Sequence, residues 1–286
     1  MDRVWILVTV FNRLDSLPNF FQNLNQQDYN DFIVILIDHG TRHIEDQSLP
    51  SYVIHLKKPS DKWWTGPIND GLKYLFSRDD LKDNDFIMLQ NDDVKFGPTF
   101  ISDLVNISKR EKAIVGAITI DPNTRKIVDA DNKFSILRAN HICAKRGKDL
   151  QEVGVEPIPS DILKGRGVIY PVKVVRDIGF LNEKLRRRSD PEWAYRAKKR
   201  GYKVLIAPSV VVESVIGTDI KLEGKISVKD ITNYLFSPKS TANLPDALTY
   251  FFACLGPLKG SYCVAVYTLR IFLIVFLKYI LSIRKS

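Results

Sequence analysis

Between Asp85 and Asp93 an apolar stretch, Phe86-Ile87-Met88-Leu89, runs straight into Gln90-Asn91-Asp92-Asp93. So short an apolar run, with no 3.6-residue period, cannot form a helix face and reads as a strand buried on both sides, as in a parallel sheet. The carboxylates then stand at its C-terminal end, the edge where open α/β sheets bind ligands. Hard oxygen ligands there suit Mg²⁺ or Mn²⁺ holding a diphosphate. Asp85 precedes the strand and two carboxylates follow it, so their repulsion calls for an opposite charge. The same residues are also ordinary turn and capping chemistry.

The surrounding pattern supports a sheet of this kind. Val4 to Phe11 reads as a strand, Asp15 or Ser16 can cap a helix to about Gln27, and Phe32 to Ile37 forms a second strand ending at Asp38. Tyr52 to Leu56 is a third strand. A helix is expected from Gly66 to Phe76, on the spacing of Ile68, Leu72, Leu75 and Phe76. After Pro98 come a helix to about Lys109 and a strand, Ala113 to Ile120. Strand and helix alternate, which predicts an α/β fold with a mostly parallel sheet flanked by helices. Residues 121–164 read as loops and short strands across the ligand edge. Val168 to Pro171, a helix from Trp193 to Arg200, and strands Val204 to Ile206 and Val210 to Val212 complete the domain.

A chain of 286 residues with net charge +9 can bury a full core, and its charge favours phosphorylated ligands, anionic membranes or nucleic acid. Nucleic acid is set aside because the Lys and Arg are scattered and no binding motif organises them. Cys143, Cys254 and Cys263 show neither paired spacing nor a histidine set, so no disulfide framework or zinc site is expected. The N-terminal apolar run is too short for a secretory leader.

From Tyr262 to Ile283 the chain is almost wholly Val, Leu, Ile, Phe and Tyr, with Arg270 and Lys278 inside it and Arg284 and Lys285 after it. The length could just cross a bilayer. A central Arg argues for a helix lying in the membrane interface instead, its basic residues toward lipid headgroups. A buried helix or an oligomer contact uses the same pattern.

Several residues converge on the predicted ligand edge. Thr9 and Asn12 end the first strand. Asp38, after the second, could accept from a nucleobase or a ribose hydroxyl, although Asp-His-Gly is also good turn chemistry. Trp63 and Trp64 are adjacent rings that must stack on a sugar or base, or plug the core. Gly66 opens a helix where a phosphate could approach the backbone. Asp190 and Glu192 lie at a helix N-terminus, where a carboxylate that stays ionised could take a proton from an attacking hydroxyl.

In this order the motifs resemble glycosyltransferase family 2, the inverting enzymes of GT-A fold, and in particular its rhamnosyltransferase-like members. The resemblance covers roughly residues 3 to 215. Val8-Thr9-Val10-Phe11-Asn12-Arg13 resembles the opening strand and nucleotide loop, and Asp38 stands at the base contact. Trp64-Thr65-Gly66 with Asn69 is similar to the helix start. Asn91-Asp92-Asp93 resembles the family's DxD element, which makes Asp93 the metal ligand. Leu163 to Gly167, with Arg166 and Gly167, resembles the acceptor-side segment. Asp190, Glu192 and Trp193 match the helix whose Asp is the catalytic base. Ser189 departs from an acidic position, Pro191 from a more typical side chain, and Glu213-Ser214 lacks a histidine that many members carry.

The resemblance implies residues 1–222 as the transferase domain, with a nucleotide-sugar half at 1–120 and an acceptor half at 121–222. Residues 223–286 would form a helical membrane-associating segment. It also implies a nucleotide-diphospho-sugar donor, a divalent cation, and a glycan or lipid-linked acceptor in bacterial surface polysaccharide synthesis at the cytoplasmic face of the membrane. A homo-oligomer is compatible with all of this. A nucleotidyltransferase would use similar carboxylates, but it would want a glycine-rich phosphate loop, and Thr9 to Arg13 has no glycine. A sugar-binding protein without activity is the non-enzymatic reading.

Overall fold

The computed structural model describes residues 2–59, 63–215 and 220–283. Arg284 and Lys285 lie outside them. Seven apolar residues in a row make β1 (Val4–Val10), buried along its whole length. Then follow α1 (Leu17–Asn25), β2 (Phe32–Asp38), β3 (Val53–Lys57), α2 (Thr65–Phe76), β4 (Phe86–Asn91), β5 (Lys95–Phe96), α3 (Phe100–Glu111) and β6 (Ala113–Ile120). β7 (Ile127–Asp129), a hairpin of β8 (Asn132–Ser135) and β9 (Asn140–Cys143), β10 (Ile158–Pro159), β11 (Val168–Pro171), α4 (Val172–Ile178), α5 (Ser189–Lys199), β12 (Lys203–Glu213), α6 (Val228–Phe236) and α7 (Leu244–Ile283) complete the chain.

The main sheet runs β10-β12-β6-β11-β4-β1-β2-β3, with β5 on β12 and β7 on β6. β4, β1, β2 and β3 are mutually parallel, as the alternation predicts. β11 is not: it enters antiparallel between β4 and β6. The loop leading into it therefore lies at the same rim as the loops leaving its neighbours. Apolar side chains on both faces form two cores, one under α2, α4 and α5 and one under α1 and α3.

Three boundaries differ from the sequence expectation. Helix α5 starts at Ser189, four residues before Trp193, because a first turn tolerates Pro191, whose missing N–H has no helical partner there. The two expected late strands are one, β12, with a register shift between Ala207 and Val211 that absorbs Pro208. The tail helix begins at Leu244, well before Tyr262, and breaks at Gly256 (φ 73°), where Pro257 restarts it.

Beyond that break, Cys263, Tyr267, Ile271 and Val275 form a buried stripe at helical spacing. They belong to a third core with α6 and the Leu185 loop. Leu269, Phe272, Leu273, Phe276 and Leu277 point outward. The expected direction of the cations is reversed: Arg270 donates to the carbonyls of Arg138 and Ala139, and Lys278 to that of Leu222. Backbone carbonyls of the protein body offer these cations a better partner than a distant headgroup, so the outward face is left without them.

Candidate active site

Parallel pairing brings the candidate residues to one rim. Thr9 and Asn91 are direct register partners at the ends of β1 and β4, and Val10 pairs with Asp38 of β2. Asn12, held at φ 54°, accepts the Thr41 N–H at 2.8 Å and thereby ties the first loop to the second. Gly40 must lack a side chain here, since a Cβ would stand 2.6 Å from Asn12 Oδ1.

Asp38 is fully buried. Its carboxylate accepts the N–H groups of Gly40 (3.2 Å) and Ile44 (2.8 Å), with His43 at 3.2 Å and His55 at 3.4 Å. In this arrangement it shapes the loop after β2. Sequence reasoning missed a neighbour that does face outward, Phe11. The exposed Phe11 ring stands 5.3 Å from the buried His39, an aromatic pair where β1 and β2 end.

At the tip of β4 the two carboxylates diverge. The Asp92 side chain is wholly buried and accepts from Ser16 Oγ at 2.7 Å; burial pushes its pKa up, opposed by Ser16 and Arg13. Asp93 is 42% exposed. Arg13 spans both, each at 2.5 Å. No local signal could have revealed this contact, because the partners lie about eighty residues apart.

On the other face of the sheet, Gly167 N donates to Leu89 O at 3.1 Å, so the segment before β11 lies directly beyond the end of β4. Its Gly165 N–H donates to Asp190 Oδ2 at 2.7 Å. A Cβ on Gly165 would meet the Trp64 ring at 2.9 Å, so the missing side chain seats that indole beside the carboxylate. Burial raises Asp190 to about 6, although its bond to Gly165 and the nearby Lys164 and Arg166 charges pull the other way. A carboxylate so poised can accept a proton near neutral pH.

The other candidates serve this arrangement from behind. Gly66 is buried and its N–H goes to Trp63 O, which leaves it no donor for a phosphate. Asn69 is buried and exchanges hydrogen bonds with the Leu181 backbone at 2.9 and 3.0 Å, fixing the loop before α5. Thr65 Oγ1 bonds Leu185 O and Ser189 Oγ, so the serine that replaces an acid locks α2 to α5. Glu192 lies about 200° around the helix from Asp190. It pairs with Arg196 and lines a cavity of about 290 Å³ with Cys254 of α7. Trp193 is fully buried against Tyr170, ring centroids 4.2 Å apart. Gly167 (φ 73°) makes room for Phe100. Of the acceptor-side candidates, Arg166 alone is not buried; its side chain is half-buried at the rim.

A divalent cation fits this rim on the chemistry of its donors. Mg²⁺ is commonly held by one or two carboxylates plus substrate phosphates. Asp93 supplies one accessible carboxylate and Asn91 stands beside it. Among the described residues no three His, Cys, Asp or Glu form a protein-only cage. Glu213, at the place of the missing histidine, is paired with Arg125.

The sequence profile described as glycosyl transferase family 2 matches residues 5–161. The chain belongs to glycosyl transferase family 2. Its structure is similar to that of GalNAc-T7 crystallised with UDP, GalNAc and Mn²⁺, at TM-score 0.61 and 14% identity over 88% of this chain and 48% of that one. It is also similar to residues 1–349 of TarS from S. aureus, at TM-score 0.53 and 13% identity over 94% of this chain and 72% of that one. Identities this low speak for the shared GT-A fold alone, and the chain spans about half the length of GalNAc-T7. No curated protein matches it.

Proposed function

We propose that this family 2 enzyme transfers a sugar, with inversion, from a nucleotide-diphospho-sugar to a hydroxyl of a glycan or lipid-linked acceptor, in bacterial surface polysaccharide synthesis. A rhamnosyltransferase-like donor is part of this proposal. The observation that carries it is the seating of Asp190 and Trp64 on Gly165, at the rim that also bears Asp93. The base would stack on the exposed Phe11, and the sugar would lie along Trp64. Asp190 would take the acceptor hydroxyl's proton as its oxygen bonds the anomeric carbon. The bond to the diphosphate breaks on the opposite face, which inverts the centre. Asp93 and Asn91 would hold a divalent cation, which offsets charge on the leaving diphosphate.

Screening UDP-, dTDP- and GDP-sugars with Mn²⁺ by thermal shift should single out one nucleotide. At a hundredfold excess over Kd it adds about 2.7 kcal/mol of stability. Release of the free nucleoside diphosphate on adding acceptor glycans completes the test. Pyrophosphate as product would point to nucleotidyl transfer, and stabilisation without any release to a sugar-binding protein.

The acceptor class rests on α7. It is the one helix among the described residues long and apolar enough to cross a membrane, with mean hydropathy 2.1 and 17% of its apolar window buried. Because Arg270 and Lys278 face the protein, the outward face of the helix's second half suits the acyl boundary of a bilayer at the cytoplasmic side. Phe276→Ser should weaken partition into phosphatidylcholine vesicles roughly 30-fold, from about 2 kcal/mol for one exposed ring. Its melting temperature should hold. Unchanged sedimentation with vesicles would count against membrane contact, and a dimer abolished by the same change would assign the face to a second copy.

A further inference from the structure

We propose that Arg13 is an exchangeable counter-ion, holding Asp92 and Asp93 in the donor-free enzyme and passing to the donor's diphosphate when a divalent cation takes its place on Asp93. The inference rests on the glycosyltransferase reading and adds to it a named residue with two alternating partners.

Three observations support the exchange. First, the guanidinium divides itself between the carboxylates, with one nitrogen on Asp92 Oδ1 and the other on Asp93 Oδ2. It thus offsets the repulsion that two adjacent acids would otherwise suffer, which is the task a cation would perform there. Second, the two acids depend on Arg13 unequally. The second oxygen of Asp92 is held by Ser16, inside the protein, whereas Asp93 is 42% exposed. Asp93 can therefore change partners while Asp92 stays in place. Third, Arg13 is rigid at its root and open to solvent along its side chain. Its neighbour Asn12 is fixed by bonds to the second loop, while the Arg13 side chain is 51% exposed. Rotation of side-chain torsions alone can carry the guanidinium from the acids to a phosphate at the same rim.

Charge favours such a handover. At rest, two carboxylates and one guanidinium leave a single negative charge. With a doubly charged diphosphate and a divalent cation added, and Arg13 kept at the rim, the site again carries a single negative charge. The fork geometry of Arg matches phosphate as well as carboxylate.

The test needs no turnover. Mn²⁺ binding to the donor-free protein is followed by the paramagnetic resonance of free Mn²⁺, then UDP, GDP and dTDP are titrated in at saturating Mn²⁺. Arg13→Gln should tighten Mn²⁺ binding about fivefold, because a partly exposed competing ion pair is lost. It should also weaken binding of the preferred nucleotide about tenfold or more, because a charge-assisted contact to phosphate is lost. Arg13→Lys, which keeps the charge but not the fork, should fall between in both. Equal or weaker Mn²⁺ binding by the Gln variant, with nucleotide binding intact in the parent, overturns the exchange and leaves the transferase reading standing. Failure of the parent to bind Mn²⁺ or any of the nucleotides overturns both.

Discussion

Replacing Asp190 with Asn should lower kcat by about 10²- to 10⁴-fold, the contribution of a positioned general base, while donor affinity stays within about twofold. The asparagine can still accept the Gly165 N–H, so the loop beneath Trp64 keeps its shape. What it cannot do is take a proton. The pH profile supplies an independent check. Burial raises this carboxyl to about 6, so its proton persists to that pH and the ionised base is lost below it. The kcat/KM of the parent enzyme should therefore rise tenfold per unit below pH about 6 and level off above it. Asp190 would lose its role if the variant kept more than a tenth of parental kcat, or if the profile were flat between pH 5 and 7.

Asp246→Ala should cost about 3 to 5 kcal/mol of stability, the range for breaking a buried ion pair by removing one partner. The Asp246 side chain is 4% exposed and accepts from Arg186 N at 2.7 Å and Arg188 Nη1 at 2.9 Å. Arg188 in turn reaches Thr241 O and Tyr267 Oη, both near α7 or on it. It also directly precedes Ser189, where α5 and its Asp190 begin. The loss should therefore appear twice: in the denaturant midpoint, and as a lower kcat at temperatures where the protein stays folded. Asp246→Asn keeps an acceptor for the backbone N–H groups and should recover much of both. A destabilisation below about 1 kcal/mol would show that α7 does not clamp α5 through this residue.

The parallel half of the sheet was legible because apolar runs and helical spacing are local, and β1, β2, β4, α2 and β6 lie close to where they were read. The direction of β11 was not, since a four-residue strand reads the same either way. Pro191 and Pro208 look like breaks in a sequence, but a first helical turn and a bulge accommodate them. At the site, Asp93, Asn91 and Thr9 reach the rim because strand ends place them there. Asp38, Gly66 and Asn69 carry the right residue types, yet the folded chain ties their polar atoms to nearby backbone, while Glu192 pairs with Arg196 and Trp193 packs on Tyr170. Arg13 passed unnoticed as a partner because only tertiary structure brings it to the acids, and the inward turn of Arg270 and Lys278 depends on carbonyls distant in sequence.

Those two inward cations fix the roll of α7 about its own axis. On a bilayer, the catalytic domain could then settle at a single tilt, with the height of the Asp190 rim above the headgroups set by the body of the protein and not by a flexible tether. Reach to an acceptor would be selected by distance from the lipid, so lengthening or shortening a lipid-linked glycan by one sugar should matter as much as its chemistry.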